Sequence, residues 1–208
     1  MADFSFSAKI RLHQKNKLII KQNILIETKQ SHYLLNVMRK KINDKILIFN
    51  QFDGEFLAEI ILIKKKIITL FVIEKVRDPE IVNDIWVIFA PVKKNATDII
   101  VQKATELGAS CIIPILTERT ISRRVNLNRM EEIAIEASEQ CERITIPNIA
   151  PLQSLKEFIS NWDRNRKIYY GDETIRNSSE KLDDNNQFLT HSSGAILIGP
   201  EGGFSLKE

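Results

Sequence analysis

Only two cysteines occur in the sequence, Cys111 and Cys141, far apart and each in an apolar context. A disulfide framework is therefore excluded as the source of stability, and both read as buried free thiols of a cytosolic protein. The three histidines, His13, His32 and His191, are scattered and lack cysteine, histidine or carboxylate neighbours at ligand spacing, which argues against a metal site. No apolar run approaches the length of a membrane span. The opening Met1-Ala2-Asp3-Phe4-Ser5 lacks the basic segment and apolar core of a signal peptide. Phosphate-binding signatures are missing too: no glycine-rich loop ends in Lys-Ser/Thr, and none has G-x-G-x-x-G spacing. Without them an α/β nucleotide hydrolase is a weak reading.

What is present suits one or two ordinary domains: 208 residues with 43% hydrophobic content. The net charge of +3 hides an uneven distribution. Residues 1–76 hold 14 Lys and Arg against 7 Asp and Glu, and residues 77–208 hold 16 against 20. A basic first third on a mildly acidic remainder predicts a first domain that touches a polyanion, RNA or DNA.

Residues 1–76 read as a small β-barrel. Leu18 to Glu27, Ile46 to Phe49 and Ile67 to Val76 are strand-like. Asp53-Gly54 is a hairpin signal followed by alternating Phe56, Ala58, Ile60 and Leu62. A short helix over 31–39, capped by Ser31, lies between the first two strands. Arg77-Asp78-Pro79-Glu80 breaks the pattern and sets the domain boundary, giving domains 1–76 and 77–208.

Beyond it, strands and helices alternate, which predicts a parallel α/β sheet. Strands are expected at 84–90, 111–116, 167–171 and 195–198. A helix capped by Asn95 and Asp98 should run to Leu107, with Ile100, Ala104 and Leu107 inward and Gly108 as its stop. A second helix over 128–143 turns Met130, Ile133, Ala134, Ala137 and Cys141 to the core, and a shorter one covers 154–162. The polar stretch Asp172 to Ser193 reads as a loop.

The chemistry points to "LIGPEGGFSLKE". Ligands of open α/β sheets sit beyond the carboxyl ends of strands, where this loop emerges. Its glycines permit close backbone approach, and Glu201 suits a neutral or cationic ligand rather than a phosphate. Ser205-Leu206-Lys207-Glu208 has the form of a helix cap. "QKATELGASCIIPILTERT" places Arg119 just after a strand, and "EASEQCER" puts Glu139, Gln140 and Arg143 on the polar side of a helix.

Taken in order, "QKATELG…P…ER", "EASEQCER" and "LIGPEGGFS", with "HYLLNVMRKK" and "FDGEFLAEI" before them, resemble the RsmE-type 16S rRNA uracil-N3 methyltransferases of the SPOUT superfamily. The resemblance implies an N-terminal PUA-like β-barrel, a trefoil-knotted α/β domain, S-adenosyl-L-methionine as methyl donor, 16S rRNA or the small ribosomal subunit as partner, and a cytoplasmic homodimer. Family members continue through a helix to a second cofactor loop, of which nothing is seen up to Glu208. On that ground the knot would be incomplete, the chain would bind the cofactor weakly or not at all and methylate no uridine, and a catalytically impaired RNA-binding relic is the alternative. Candidate cofactor contacts are Gly171, Gly199, Pro200, Glu201, Gly202 and Gly203. N3 of uracil is protonated at neutral pH, so Arg143 and Arg119 are candidates to stabilise the anion, and Glu139 or Glu201 to act as base. Arg11, His32 and Arg39 are the candidate RNA contacts, whereas Tyr33, Leu35 and Met38 read as packing.

Overall fold

The computed structural model describes residues 10–26, 28–171 and 193–208. The expected loop of 172–193 lies outside them, apart from Ser193, which opens a strand. Contacts divide the chain into two units: 1–81 with 138–145, and 82–137 with 146–208.

The first unit is built on β1 (Arg11–His13), β2 (Asn23–Leu25), β3 (Lys45–Asn50), β4 (Gly54–Lys64) and β5 (Ile67–Arg77), in the order β1-β3-β4-β5-β2. β1 runs parallel to β3, and the other pairs are antiparallel. All five strands feed one apolar cluster, from Leu12, Ile24, Ile46, Ile60 and Leu70 among others. The β3–β4 hairpin turns at Asp53-Gly54 as expected. Asn50 Oδ1 accepts from the Phe52 and Asp53 amides at 2.9 and 2.7 Å. Gly54 sits at φ +96°, and a Cβ there would lie 2.3 Å from the Arg77 carbonyl oxygen.

Several details differ from the sequence reading. Phe56, Ala58 and Ile60 alternate inward, but Leu62 is exposed, because the β4–β5 register shifts between Ile60 and Leu62 and turns the strand over. The strand expected from Leu18 shrinks to β2, since Lys21 takes a left-handed φ of +66°. The helix expected at 31–39 begins earlier, as α1 (Thr28–His32), and continues as a π-helical turn, Tyr33–Val37. Ser31 is therefore no cap. It is buried inside α1, donating to the Ile26 carbonyl and accepting from the Ile68 amide. Tyr33 and Leu35 pack against the cluster, while Met38 is exposed.

The second unit carries β6 (Asp84–Phe89), β7 (Cys111–Leu116), β8 (Asn148–Ile149), β9 (Gln153–Ser154), β10 (Ile168–Tyr170) and β11 (Ser193–Ile198). The strand order is β10-β11-β6-β7-β8, all parallel, with β9 pairing to β7. Such a sheet is covered on both faces. Ile113 and Ile115 of β7 join Leu155 and Phe158 of α4 (Leu155–Ser160) in one cluster. Ile112 joins Val101 and Ala104 of α2 (Lys94–Glu106) and Met130 and Ala134 of α3 (Leu127–Gln140) in the other.

Gly108 ends α2 as its sequence predicts. It lies at φ +89°, its amide donates to Thr105, and the Ala109 amide donates to Ala104, the two bonds of a Schellman motif. Asn95 and Asp98 do not cap this helix, which is already under way at Lys94, with Lys93 at the cap position. Asp98 instead pairs with Arg129 of α3 at 2.6 Å. Leu107 is 86% exposed rather than inward, because the helix has ended before it. α3 starts from an Asn126 side-chain cap and ends at Gln140, so Arg143 lies beyond it, after Glu142 at φ +62°. For the same reason Cys141 falls off the buried stripe and is exposed, while Cys111 is buried; both are free thiols. α4 is held by a full capping box between Ser154 and Glu157.

Candidate functional site

Four loops leave the carboxyl ends of adjacent strands in the second unit: 91–93 after β6, 117–122 after β7, Gly171 after β10, and 199–203 after β11. The turn over 117–120 is closed by Thr117 N donating to Thr120 Oγ1 at 2.9 Å and by a hydroxyl pair at 2.8 Å. That turn holds Arg119 outward, and its Nη1 donates to the Gly202 carbonyl at 2.7 Å. The loop after β11 is itself a turn, with Gly203 N donating to Pro200 O at 2.9 Å and Gly203 at φ +67°. Gly199 has no room for a side chain, since a Cβ would stand 2.8 Å from the Phe204 ring. Glu208 ties the segment after this turn to the 117–122 loop, accepting from Glu118 N at 2.7 Å and from Ser205 N at 3.1 Å.

A cleft of about 820 Å³ opens over the ends of β10 and β11. Gly171, Gly199, Pro200, Gly202, Gly203 and Arg119 line it, with apolar walls from Leu155, Ile159, Tyr170 and Leu197. A second cleft, of about 300 Å³, lies over the ends of β6 and β7, lined by Pro91, Val92, Lys93, Arg119, Ile121, Ser122, Pro200 and Glu201. Of the loop residues expected to meet one ligand, Glu201 lines the smaller cleft alone. Arg119 and Pro200 line both.

The remaining candidates stand in the first unit. Arg11 is 6% exposed. Its Nε meets Glu55 at 2.5 Å, Nη1 donates to the Ser138 and Glu139 carbonyls at 2.8 and 3.3 Å, Nη2 donates to the Arg143 carbonyl at 3.3 Å, and the guanidinium lies 4.4 Å from the Phe49 ring centre. It thus satisfies the open carbonyls at the end of α3. Glu139 and Arg143 are half-buried beside it, and a Glu139 oxygen accepts from His13 N at 2.9 Å. His32 and Arg39 are exposed, Arg39 at φ +52°. The structure thus gathers Arg11, Glu139 and Arg143 in one unit, and Arg119 with the glycine loop in the other.

Sequence reading missed Lys93, Tyr170, Leu155 and Ile159 as cleft residues, and Glu55 as the partner of Arg11. Lys93 carried a usable signal, standing just past a predicted strand. The apolar residues carried none, since at a strand end or on a helix they are indistinguishable from core.

Fold and clefts together define a class: an α/β domain with its loops arranged for a ligand at the strand ends, preceded by a small β unit. A family model described as an RNA methyltransferase domain matches residues 79–208, and one described as an RNA methyltransferase PUA domain matches 26–73. The chain is 33% identical over 177 residues to the ribosomal RNA small subunit methyltransferase E of Rickettsia conorii, covering 85% of this chain and 71% of that protein. It is 29% identical to the enzyme of the same name from Buchnera aphidicola, covering 93% and 78%. The crystal structure of the Neisseria gonorrhoeae ribosomal RNA small subunit methyltransferase E bound to S-adenosyl methionine superposes with a TM-score of 0.79 at 26% identity, covering 95% of this chain and 82% of that one. The chain belongs to this family of RNA methyltransferases. Among the described residues no cluster of three or more His, Cys, Asp or Glu could hold a metal, and no helix is long and apolar enough to cross a membrane.

Proposed function

We propose that this chain methylates N3 of a uridine in 16S ribosomal RNA, with S-adenosyl-L-methionine held in the larger cleft. The observation that carries the reading is the glycine loop at the carboxyl end of β11, which lines an apolar cleft with Gly199, Gly202 and Gly203. Leu155, Ile159, Tyr170 and Leu197 suit an adenine and the carbon chain beside a sulfonium, and Gly199, Gly202 and Gly203 allow the backbone to approach them closely. Among the described residues the cleft lining contains one cation, Arg119, and no lysine, which fits a ligand without phosphates. When bound, the cofactor supplies an electrophilic methyl carbon on a sulfonium sulfur. The protein's share is to align the acceptor nitrogen, exclude water and take up the N3 proton. Arg119 is suited to stabilise negative charge on the uracil oxygens as that proton leaves.

For RNA, the exposed Arg39 and His32 stand in the lysine-rich first unit, and we assign backbone contacts to that surface. Arg11 contributes there as a buried strut beneath Glu139 and Arg143. We carry the homodimer and a cytoplasmic site of action as parts of the same proposal.

The test combines calorimetric titration with S-adenosyl-L-methionine and primer extension on 16S RNA incubated with the chain, since an N3-methyl group blocks the pairing edge and stops the polymerase. Cofactor binding with a new uridine-specific stop is expected. Cofactor binding with methylation at another atom would replace uridine N3 in the proposal.

A further inference from the structure

The geometry points to the smaller cleft, lined by Lys93, Arg119, Ser122 and Glu201, as the pocket that receives the acceptor uracil, with Glu201 as the group that accepts its N3 proton. This rests on the methyltransferase reading above and deepens it.

The loop over 199–203 has two sides. Gly199, Gly202 and Gly203 line the larger cleft only, Glu201 lines the smaller one only, and Pro200 and Arg119 border both. A reaction between two ligands needs two sites that share a wall, and this loop is such a wall. The smaller cleft, at about 300 Å³, lies at the low end of small-ligand pockets, in keeping with one base and not a whole nucleotide cofactor. Pro91, Val92 and Ile121 provide apolar surface for a ring.

The polar groups match one base in particular. The pairing edge of uracil presents acceptor, donor, acceptor: O2, N3–H and O4. Among the described residues the cleft offers donors from Lys93, Arg119 and Ser122, and a single carboxylate, Glu201. Arg119 is oriented by its bond to the Gly202 carbonyl, and its guanidinium carries further N–H groups to donate. Cytosine has a bare acceptor at N3 and would leave Glu201 facing a lone pair. N3-methyluracil has no proton to give, so the product loses the hydrogen bond that held the substrate. In the reactive complex the N3–H bond breaks toward a Glu201 oxygen, and its electron pair stays on N3 to form the bond to the methyl carbon, whose former bonding pair leaves with the sulfur of the donor.

The test uses the full chain and three single-stranded ribo-oligonucleotides identical except for one position, which is uridine, N3-methyluridine or cytidine. Fluorescence anisotropy should show the uridine oligonucleotide bound at least about fivefold more tightly than the other two, the size of a single hydrogen-bond difference. Glu201→Ala should abolish the preference, and Glu201→Gln, whose amide can donate to a cytosine N3, should shift it toward cytidine. Calorimetric affinity for S-adenosyl-L-methionine should change less than about twofold in both variants, which also reports that they fold. A 4-thiouridine at the same position should photocrosslink within 91–93 or 119–122. Base preference unchanged in both variants, or crosslinks absent from those segments while the cofactor still binds, overturns the acceptor assignment and leaves the methyltransferase reading standing. A chain that binds neither cofactor nor RNA overturns both.

Discussion

Arg11 and Arg119 belong to regions built on opposite plans. Around Arg11 every guanidinium nitrogen has a partner, the ion pair with Glu55 has side chains only 4% and 3% exposed, and an aromatic ring closes one face. Around Arg119 one bond to a backbone carbonyl fixes the direction of the side chain, and two clefts lie open beside it. An arginine with each of its guanidinium nitrogens engaged holds a fold together. One that is oriented and only partly engaged is available to a ligand. The comparison separates two residues of the same type that composition treats alike.

The largest effect should come from the closed region. Arg11→Ala leaves Glu55 buried with Arg77, 3.4 Å away, as its one remaining ion-pair partner among the described residues, and opens the carbonyls of Ser138 and Arg143. A loss of about 3–5 kcal/mol in urea unfolding is expected. The double variant Arg11→Met, Glu55→Gln, which removes both charges, should recover part of it. A loss below about 1 kcal/mol would show that the region is not held as described.

Gly199→Ala tests the open region where it is tightest. The new methyl would press on the Phe204 ring, so the loop or the ring must move. Stability should fall by about 1–3 kcal/mol, and calorimetry should show cofactor affinity down by at least about tenfold. Gly171 is the control, since a methyl added there would meet nothing within 4 Å among the described residues: Gly171→Ala should leave stability within about 0.5 kcal/mol. Arg119→Ala sharpens the contrast with Arg11. Stability should change by less than about 0.5 kcal/mol, while kcat/KM for methyl transfer drops about a hundredfold.

The smallest effect concerns the amino end of the parallel sheet. Asp84 accepts from Trp86 Nε1 and Ser110 Oγ, each at 2.7 Å, and pairs with Arg166, which also stacks 4.0 Å from Trp86. Partial burial is the largest single influence and pushes its carboxyl up. The bonds from Arg166, Ser110 and Trp86 together outweigh it and hold the carboxyl below the ordinary aspartate range. A lowered folded value means stability that is present above the unfolded aspartate value, about 3.9, and lost as pH falls through the folded one. Melting temperatures followed from about pH 5 to about pH 2 should therefore decline less steeply in Asp84→Asn than in the wild type. Because the Asp84 side chain is 47% exposed, the difference should be modest.

These contrasts also show what a sequence reveals. The strand at 111–116, the hairpin at Asp53-Gly54 and the stop at Gly108 were legible because each rests on a local rule: an apolar run, a turn dipeptide, a glycine past a helix. The glycine turn after the last strand was legible for the same reason. Leu62, Leu107 and Cys141 were misread because a bulge or an early helix end, both set by tertiary contacts, breaks the periodicity that assigned them inward. β1, β8 and β9 are two or three residues long and leave no period to detect. Arg11 and Glu55 are 44 positions apart, and no local pattern couples them. The division of one five-residue loop between two clefts follows from the turn over 200–203, which composition does not specify.

One asymmetry has a practical use. Cys111 is buried and its thiol is pushed up by desolvation, which slows attack on soluble reagents, whereas Cys141 is exposed. Maleimide at neutral pH should therefore mark Cys141 alone, with no engineered cysteine. That label would sit between Glu139 and Arg143, two residues from each, so its emission would report directly on what happens there when RNA is added. The wild-type chain is its own sensor.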